Sequence, residues 1–300
     1  MTVTIVRTGP LTVLKDRGRA GHAGQGVAPS GAVDRTAFAR ANALVGNPPD
    51  AAVLECTLGG LRVRFDHPGT AVLTGTDAVL SVGGDRAGVE EVVEVPAGAE
   101  VTVTMPRRGL RSYLAVRGGF AVPPVLGSRS TDRLTGIGPP RPAAGDVLPV
   151  GAAPPVGAAP PGGLGTGAVA ARLATPPAGA DAEPWEVDLG PRADWFTAQA
   201  VETLLGAEFT VSPAADSVGL RLTGPALSRS RTEELPSEGV VRGAIQVPPD
   251  GQPIIFQADH PVTGGYPVIA VLTPAAADRA AQARPGSKVR FTVAPDTRPD

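Results

Sequence analysis

Glycine fills 39 and proline 33 of the 300 positions, close to a quarter of the chain and about twice ordinary usage. These are the two poorest helix formers, glycine through its backbone freedom and proline through its missing N–H. A helical bundle or coiled coil is therefore excluded. The two residues follow no three-residue period, which excludes collagen. Short strands joined by turns remain. Thr2 to Val6 alternates at period two. Val101 and Val103 share one face, Thr102 and Thr104 the other, and Val289, Phe291 and Val293 alternate with Arg290 and Thr292. Such segments are strands with one wet face. VGGD at 82–85 and PPDG at 248–251 read as turns between them.

Hydrophobic residues make up 42% of the chain but aromatic ones only 4%, so the core must be built from Val, Leu, Ile and Ala. Three helices are predicted. The first spans 32–45, with Val33, Ala37, Ala41, Leu44 and Val45 on one stripe, Ser30 as its cap and Gly46 as its stop. The second spans 191–205, with Pro191 in its first turn and Phe196, Ala200 and Leu204 inward. The third spans 274–283. Gly, Pro and Ala fill 23 of the 30 positions at 151–180, too little apolar side chain to offset ordering. The expected organisation is a β-rich domain at 1–148, a linker at 149–182 and a second β domain at 183–300.

Twenty-seven basic side chains against 29 acidic ones leave a net charge of -2. That balance suggests neither nucleic acid nor an anionic membrane as partner. The N-terminus lacks the apolar run of a signal peptide, and no stretch approaches a membrane span. A cytoplasmic protein is expected. Cys56 is the only cysteine and sits in an apolar run, which predicts a buried, inert thiol.

Chemistry-bearing residues gather in three stretches. In 237–267, Glu238, Gln246, Asp259 and His260 are interleaved with strand residues. Asp259 and His260 are candidates for proton transfer. Backbone N–H groups at Gly264 and Gly265, next to Tyr266, suit an anion or a developing oxyanion. The alternative is a hairpin of ordinary turns. In 116–132, Ser128, Arg129, Ser130 and Thr131 offer hydroxyls and a guanidinium for a carboxylate or phosphate; the alternative is a polar surface turn. In 16–34, a glycine-rich loop leads to Ser30 at a helix start, either an anion site or a plain cap. That loop lacks G-K-[ST] and the spacing of a dinucleotide fingerprint. There is no nucleophile elbow and no paired-His metal motif.

The same stretches carry a resemblance. D-x-G-R-x-G at 16–21, G-V-x-x-S-G-A-x-D at 26–34, A-N-x-L-V-G-N at 41–47 and E-x-T-L-x-G at 55–60 come first. Y-L-A-V-x-G-G at 113–119, G-S-R-S-T-D at 127–132 and G-P-x-x-D-x-F at 190–196 follow. The longest block is SEGVVRGAIQVPPDGQPI at 237–254, with ADH at 258–260 and TGGYP at 263–267. In this order the chain resembles the biotin-dependent carboxyltransferase-like family that includes allophanate hydrolase subunit 2, KipA and the C subunit of the prokaryotic 5-oxoprolinase. It departs from the family at Ser217-Val218, where relatives carry Arg-Met. It departs again at Gly136 to Pro140, where relatives carry G-G-x-G-R; the missing guanidinium removes an anion contact or a buried ion pair.

The resemblance implies a mainly β protein with a cyclophilin-like barrel. It implies one component of an ATP-dependent 5-oxoprolinase, inactive alone, working with a KipI-like subunit and a LamB/YcsF-type subunit on a small amide, with ATP shared with the partners. Asp259, His260 and Glu238 would then handle protons. Ser128, Arg129, Ser130, Gln246, Gly264, Gly265, Tyr266 and Ser30 would hold the substrate, their loops lining one cleft. Two alternatives follow from the same family. One is carboxyl transfer to urea or a related amide, with biotin on a separate carrier. The other is KipA-like antagonism of a kinase inhibitor.

Overall fold

Alternation at period two becomes strand through most of the chain. In a computed structural model, which describes residues 1–153 and 183–295, Leu61–Phe65 turns Leu61, Val63 and Phe65 inward and leaves Arg62 and Arg64 in water. It pairs antiparallel with Thr2–Thr8, whose Val3 and Ile5 face the same way. The expected strand around Val101 and Val103 is Glu100–Val103. The 82–85 turn joins Leu80–Val82 to Asp85–Arg86.

The described residues divide into two compact units. One comprises Met1–Arg19 and Ser30 through residue 153; the other comprises Ala20–Pro29 and 183–295. The first unit holds a six-stranded and a five-stranded antiparallel sheet. Their inner faces share one aliphatic core, to which Ile5, Val63 and Val101 come from one sheet and Leu54, Leu73 and Leu114 from the other. Cys56 lies in that core, and burial pushes its thiol up to about 12. The helix Arg35–Leu44 covers the outer face of the five-stranded sheet through Ala37, Phe38 and Ala41. Arg111–Val116 is therefore buried on both faces and shows no alternation.

The second unit is an eight-stranded sheet running from Lys288–Val289 through six strands to Phe291–Val293. Its two edge strands are separated in sequence by Arg290 alone, so the sheet curls into a nearly closed barrel. Only the Trp185–Leu189 and Phe291–Val293 pair runs parallel among the described pairs. Trp185, Ile245, Ile255, Ile269 and Phe291 fill the interior. The expected mainly β fold with a barrel is found, with three α-helices among the described residues.

Helix starts differ from expectation. The first helix begins at Arg35, and Asp34 caps it by accepting from the Ala37 amide at 2.8 Å. Ser30 cannot cap it, because Ser30 (φ 53°) and Gly31 (φ 100°) are left-handed. The second begins at Ala198 under a Thr197 cap, after a short 3-10 turn at Ala193–Trp195 that absorbs the segment following Pro191. The third is Pro274–Ala280, with proline in its first turn. The proposed linker lies largely at 154–182, outside the described residues.

Candidate functional sites in the two units

Three segments of the first unit converge on one carboxylate. The strand Leu11–Lys15 runs into Asp16, and the Thr131 amide donates to the Leu14 carbonyl at 2.9 Å. Asp16 then accepts from Ser128 Oγ and Ser130 Oγ at 2.6 Å each, from the Arg129 amide at 2.5 Å and from the Gly18 amide at 2.8 Å. The third segment returns when the Ala32 amide donates to the Asp16 carbonyl at 2.9 Å. Gly31 permits this approach: a Cβ there would stand 3.0 Å from the Arg17 carbonyl. Lys15 Nζ donates to Thr131 O at 2.8 Å and Ser30 Oγ at 3.3 Å. Ser128, Ser130 and Thr131 are buried, which corrects the surface-turn alternative. Their loop is a polar core, with both serine hydroxyls committed to Asp16. Arg129 directs Nε to the Val122 carbonyl at 2.7 Å.

Two members of this cluster are not fully paired. Arg19 spends Nη2 on the Ser130 carbonyl, while its Nε and Nη1 are buried without a partner. Asp132 spends Oδ1 on the Leu134 and Thr135 amides, while its Oδ2 is buried without one. Asp132 also closes a turn, donating its amide to the Ile137 carbonyl at 2.9 Å.

In the second unit the candidates lie on and beside the barrel wall. Gln246, on the strand Ala244–Gln246, donates Nε2 to the Tyr266 carbonyl at 2.8 Å. A Cβ at Gly264 would come within 2.4 Å of that nitrogen, so glycine lets Thr263–Gly264 lie on the amide without displacing the Gln246 side chain. Thr263–Gly264 pairs with Glu238–Gly239. Glu238 is clasped by Arg192, whose Nε lies 3.1 Å from each carboxylate oxygen. Hydrogen bonding from Arg192 holds the Glu238 carboxyl below its usual range. Glu238 is therefore ionised at neutral pH and can take a proton but not give one. His260 donates Nδ1–H to the Pro261 carbonyl at 2.7 Å, which puts the lone pair of the neutral ring on Nε2. Its ring lies 6.0 Å from that of Phe256, tilted by 33°. Asp259 is buried, and its amide donates to Ser217 O at 2.9 Å.

A cleft of about 440 Å³ opens in the second unit between the 226–232 and 249–251 turns. Arg229 and Arg231 line it with Asp250 and Gly251. Arg229 lies 5.8 Å from the centre of the Tyr266 ring. Tyr266 thus connects the hairpin candidates to this cleft.

The structure groups Ser30, Ser128, Arg129 and Ser130 in the first unit, and Glu238, Gln246, Asp259, His260, Gly264, Gly265 and Tyr266 in the second. Sequence reading missed Asp16 and Arg19, although both stand in the quoted D-x-G-R motif. It also missed Gln257, which is 1% exposed with neither amide atom paired. Burying an unmet amide is costly, so Gln257→Leu should stabilise the chain by about 1–3 kcal/mol. Calorimetry checks this, and a lower Tm in the variant would count against it.

A family model described as carboxyltransferase domain, subdomain A and B, matches residues 25–293. The chain is 35% identical to the 5-oxoprolinase C subunit of Escherichia coli (strain K12), over 96% of this chain and 89% of that protein. It is 30% identical to the Haemophilus influenzae 5-oxoprolinase C subunit, over 93% and 86%. The crystal structure of K. lactis urea amidolyase superposes with a TM-score of 0.87 at 28% identity, covering 97% of this chain and 18% of that one. The match takes in the Asp34 helix cap, the Ser128 loop and the Asp259-His260 pair together, and the chain belongs to the carboxyltransferase domain A and B family.

Proposed function

We propose that the chain is the C subunit of an ATP-dependent 5-oxoprolinase, opening the lactam of 5-oxo-L-proline to L-glutamate with a KipI-like subunit and a LamB/YcsF-type subunit. The observation that carries this reading is coverage in both directions: likeness to the bacterial C subunits extends over nearly all of both chains. Water adds to the lactam carbonyl, the ring C–N bond breaks, and the nitrogen leaves as the amine of glutamate. A resonance-stabilised amide resists this attack, and ATP supplies the activation of its oxygen.

Among the described residues neither lysine suits a triphosphate. Lys15 is buried against Ser30 and Thr131, and Lys288 pairs with Glu208 and Thr210. Neither lysine of this chain is therefore given a step. Its own residues act on protons and on the substrate's polar groups. Asp259 and His260 handle the proton that leaves water and the one that reaches the ring nitrogen. Glu238, kept ionised by Arg192, accepts only. Gln246 and Tyr266, linked by a hydrogen bond, position the amide, and Gly264 and Gly265 give it close backbone approach.

The test is glutamate release from 5-oxoproline with ATP, comparing the purified chain alone with the chain reconstituted with both partners. No turnover alone and turnover in the complex is expected. Full turnover by the single chain would overturn the multi-subunit reading. The urea amidolyase likeness favours one second reading, carboxyl transfer from biotin on a separate carrier. Avidin-sensitive carboxylation of urea, without glutamate release, would install it instead.

A further inference from the structure

The 226–232 and 249–251 turns, both in the second unit, line the cleft of about 440 Å³, a volume in the range of small-molecule sites. Their backbones are fixed. The Leu227 amide donates to the Gly251 carbonyl at 3.0 Å, and Gln252 bonds Gly224 through both ends of its side-chain amide, at 2.9 and 3.2 Å. Gly251 has a φ of 76°, and a Cβ on it would stand 2.9 Å from that of Ala226. On either side of Arg229, the Ser228 carbonyl accepts from the Thr197 amide at 3.2 Å and the Ser230 amide donates to the Trp195 carbonyl at 2.8 Å. A cleft held open in this way loses little freedom when it is filled.

The two arginines of the cleft differ in state. Arg231 is paired, with Nη2 2.9 Å from Asp194 Oδ2, and lies 5.6 Å from the centre of the Trp195 ring. Arg229 has no carboxylate partner among the described residues. Its Nη2 donates to the Val247 carbonyl, its Nε is buried without an acceptor, and its Nη1 makes no hydrogen bond. Burial lowers the Arg229 pKa, and Tyr266 and Asp250 act against that shift; a guanidinium stays charged throughout. On the facing turn, Asp250 Oδ1 accepts from the Gln252 amide at 3.0 Å, and Oδ2 makes no hydrogen bond among the described residues. Asp250 is near enough for its charge to favour that of Arg229, yet the two form no ion pair. The cleft therefore presents one cation and one anion held apart, with the hydroxyls of Ser228 and Thr232 beside them.

We infer that this cleft binds the zwitterionic head of an α-amino acid, its carboxylate on Arg229 and its ammonium on Asp250. Such a head bridges a cation and an anion that do not meet each other. A plain carboxylate would leave Asp250 without a partner, and a plain amine would leave Arg229 without one. Inorganic phosphate would set its charge against Asp250. The inference stands apart from the 5-oxoprolinase reading, whose product, L-glutamate, is one member of the class.

The test follows the backbone amide resonances of Ser228, Thr232 and Gly251 in the full chain by NMR. The probes are L-leucine, 4-methylpentanoate (leucine without its amine), 3-methylbutylamine (leucine without its carboxylate) and L-glutamate. We expect L-leucine to shift all three resonances and to bind about tenfold more tightly than either of its halves, the size of one charged hydrogen bond. Arg229→Gln should weaken L-leucine and 4-methylpentanoate about tenfold and leave the amine unchanged. Asp250→Asn should weaken L-leucine and the amine and leave 4-methylpentanoate unchanged. A merely structural role would not produce this crossed pattern. Asp250 is exposed, so its half of the pattern remains readable even if Arg229→Gln misfolds. Shifts with L-glutamate but not L-leucine, lost in either variant, also support the site and narrow it to acidic amino acids. Resonances that neither amino acid moves overturn the inference, and if the KipI-like subunit moves them instead, the cleft is a protein interface. Equal affinity for L-leucine and 4-methylpentanoate, indifferent to Asp250, overturns it in favour of a carboxylate site. L-leucine binding in a chain whose reconstituted complex releases no glutamate keeps the inference and removes the 5-oxoprolinase reading.

Discussion

Asp16→Ala should lower the stability of the chain by about 3–5 kcal/mol, the cost of breaking a buried charged network, and lower Tm by about 10 °C in a unit of this size. Asp16 joins three stretches of chain that are far apart in sequence. Ser128 and Ser130 lie 112 and 114 positions away and give it both their hydroxyls. Without the carboxylate, these buried hydroxyls and the Gly18 and Arg129 amides lose their acceptor, and each unmet group carries a desolvation penalty. Asp16→Asn keeps the shape but turns one acceptor into a donor facing N–H or O–H groups, so it should fall between wild type and alanine. Ser128→Ala removes one bond of the set and should cost about 1 kcal/mol. Calorimetry on the full chain decides. A loss below about 1 kcal/mol for Asp16→Ala, no more than a single hydrogen bond is worth, would mean that the loop is held by packing alone.

Most of the fold was legible because it is local. Period-two alternation identified Glu100–Val103, but the run at 289–293 that it joined into one strand is two, Lys288–Val289 and Phe291–Val293, on opposite edges of the sheet and with Val293 exposed. The errors arose where a local signal had a stronger competitor. Ser30 stands two residues before Ala32 and looks like a cap. Ala32 and Val33 are apolar and buried, which lengthened the apparent stripe. Yet Val33 is fixed by a 3.1 Å hydrogen bond from its amide to Glu55, and Asp34 by one of 2.7 Å from its amide to Tyr113 OH. Tertiary contacts hold those two residues outside the helix, and Asp34 is left to cap it. Pro191 misled for a related reason: Gly190 donates its amide to Ile269, tying that segment to the barrel wall.

The candidate sites were legible by residue type but not by environment. Sequence showed that Ser128 and Ser130 carry hydroxyls. It did not show that an aspartate more than a hundred residues away consumes them. The glycines of 16–34 drew notice as a possible anion loop, whereas the residues with unmet or network chemistry are the charged ones between them, Asp16 and Arg19. Glu238 likewise looked like an acid–base candidate of either direction until Arg192, 46 residues away, fixed it as a carboxylate. Long-range pairing sets the state of each group, and no periodicity reports it.

In the reconstituted complex, Asp259→Asn is expected to reduce kcat by about 10²–10⁴-fold, the range supplied by a positioned acid or base. Asn has the same shape, so the residue 259 amide keeps its bond to Ser217 and the chain keeps its fold. What is lost is the capacity to take up a proton. His260 sits beside it with Nδ1 anchored on Pro261 and is unchanged by the substitution, so activity should fall without vanishing. His260→Gln should cost less than Asp259→Asn if the carboxylate is the principal base. The double variant should then fall well below the Asp259 variant alone, because His260 carries the activity that remains. Three measurements separate catalysis from scaffolding: kcat, co-purification with the KipI-like subunit, and Tm. A large fall in kcat with association and Tm intact places Asp259 in the reaction. If the variant instead keeps more than a tenth of its turnover, the proton passes through other groups. Loss of association or of several degrees in Tm, with turnover falling only in proportion, would make the buried carboxylate a structural one.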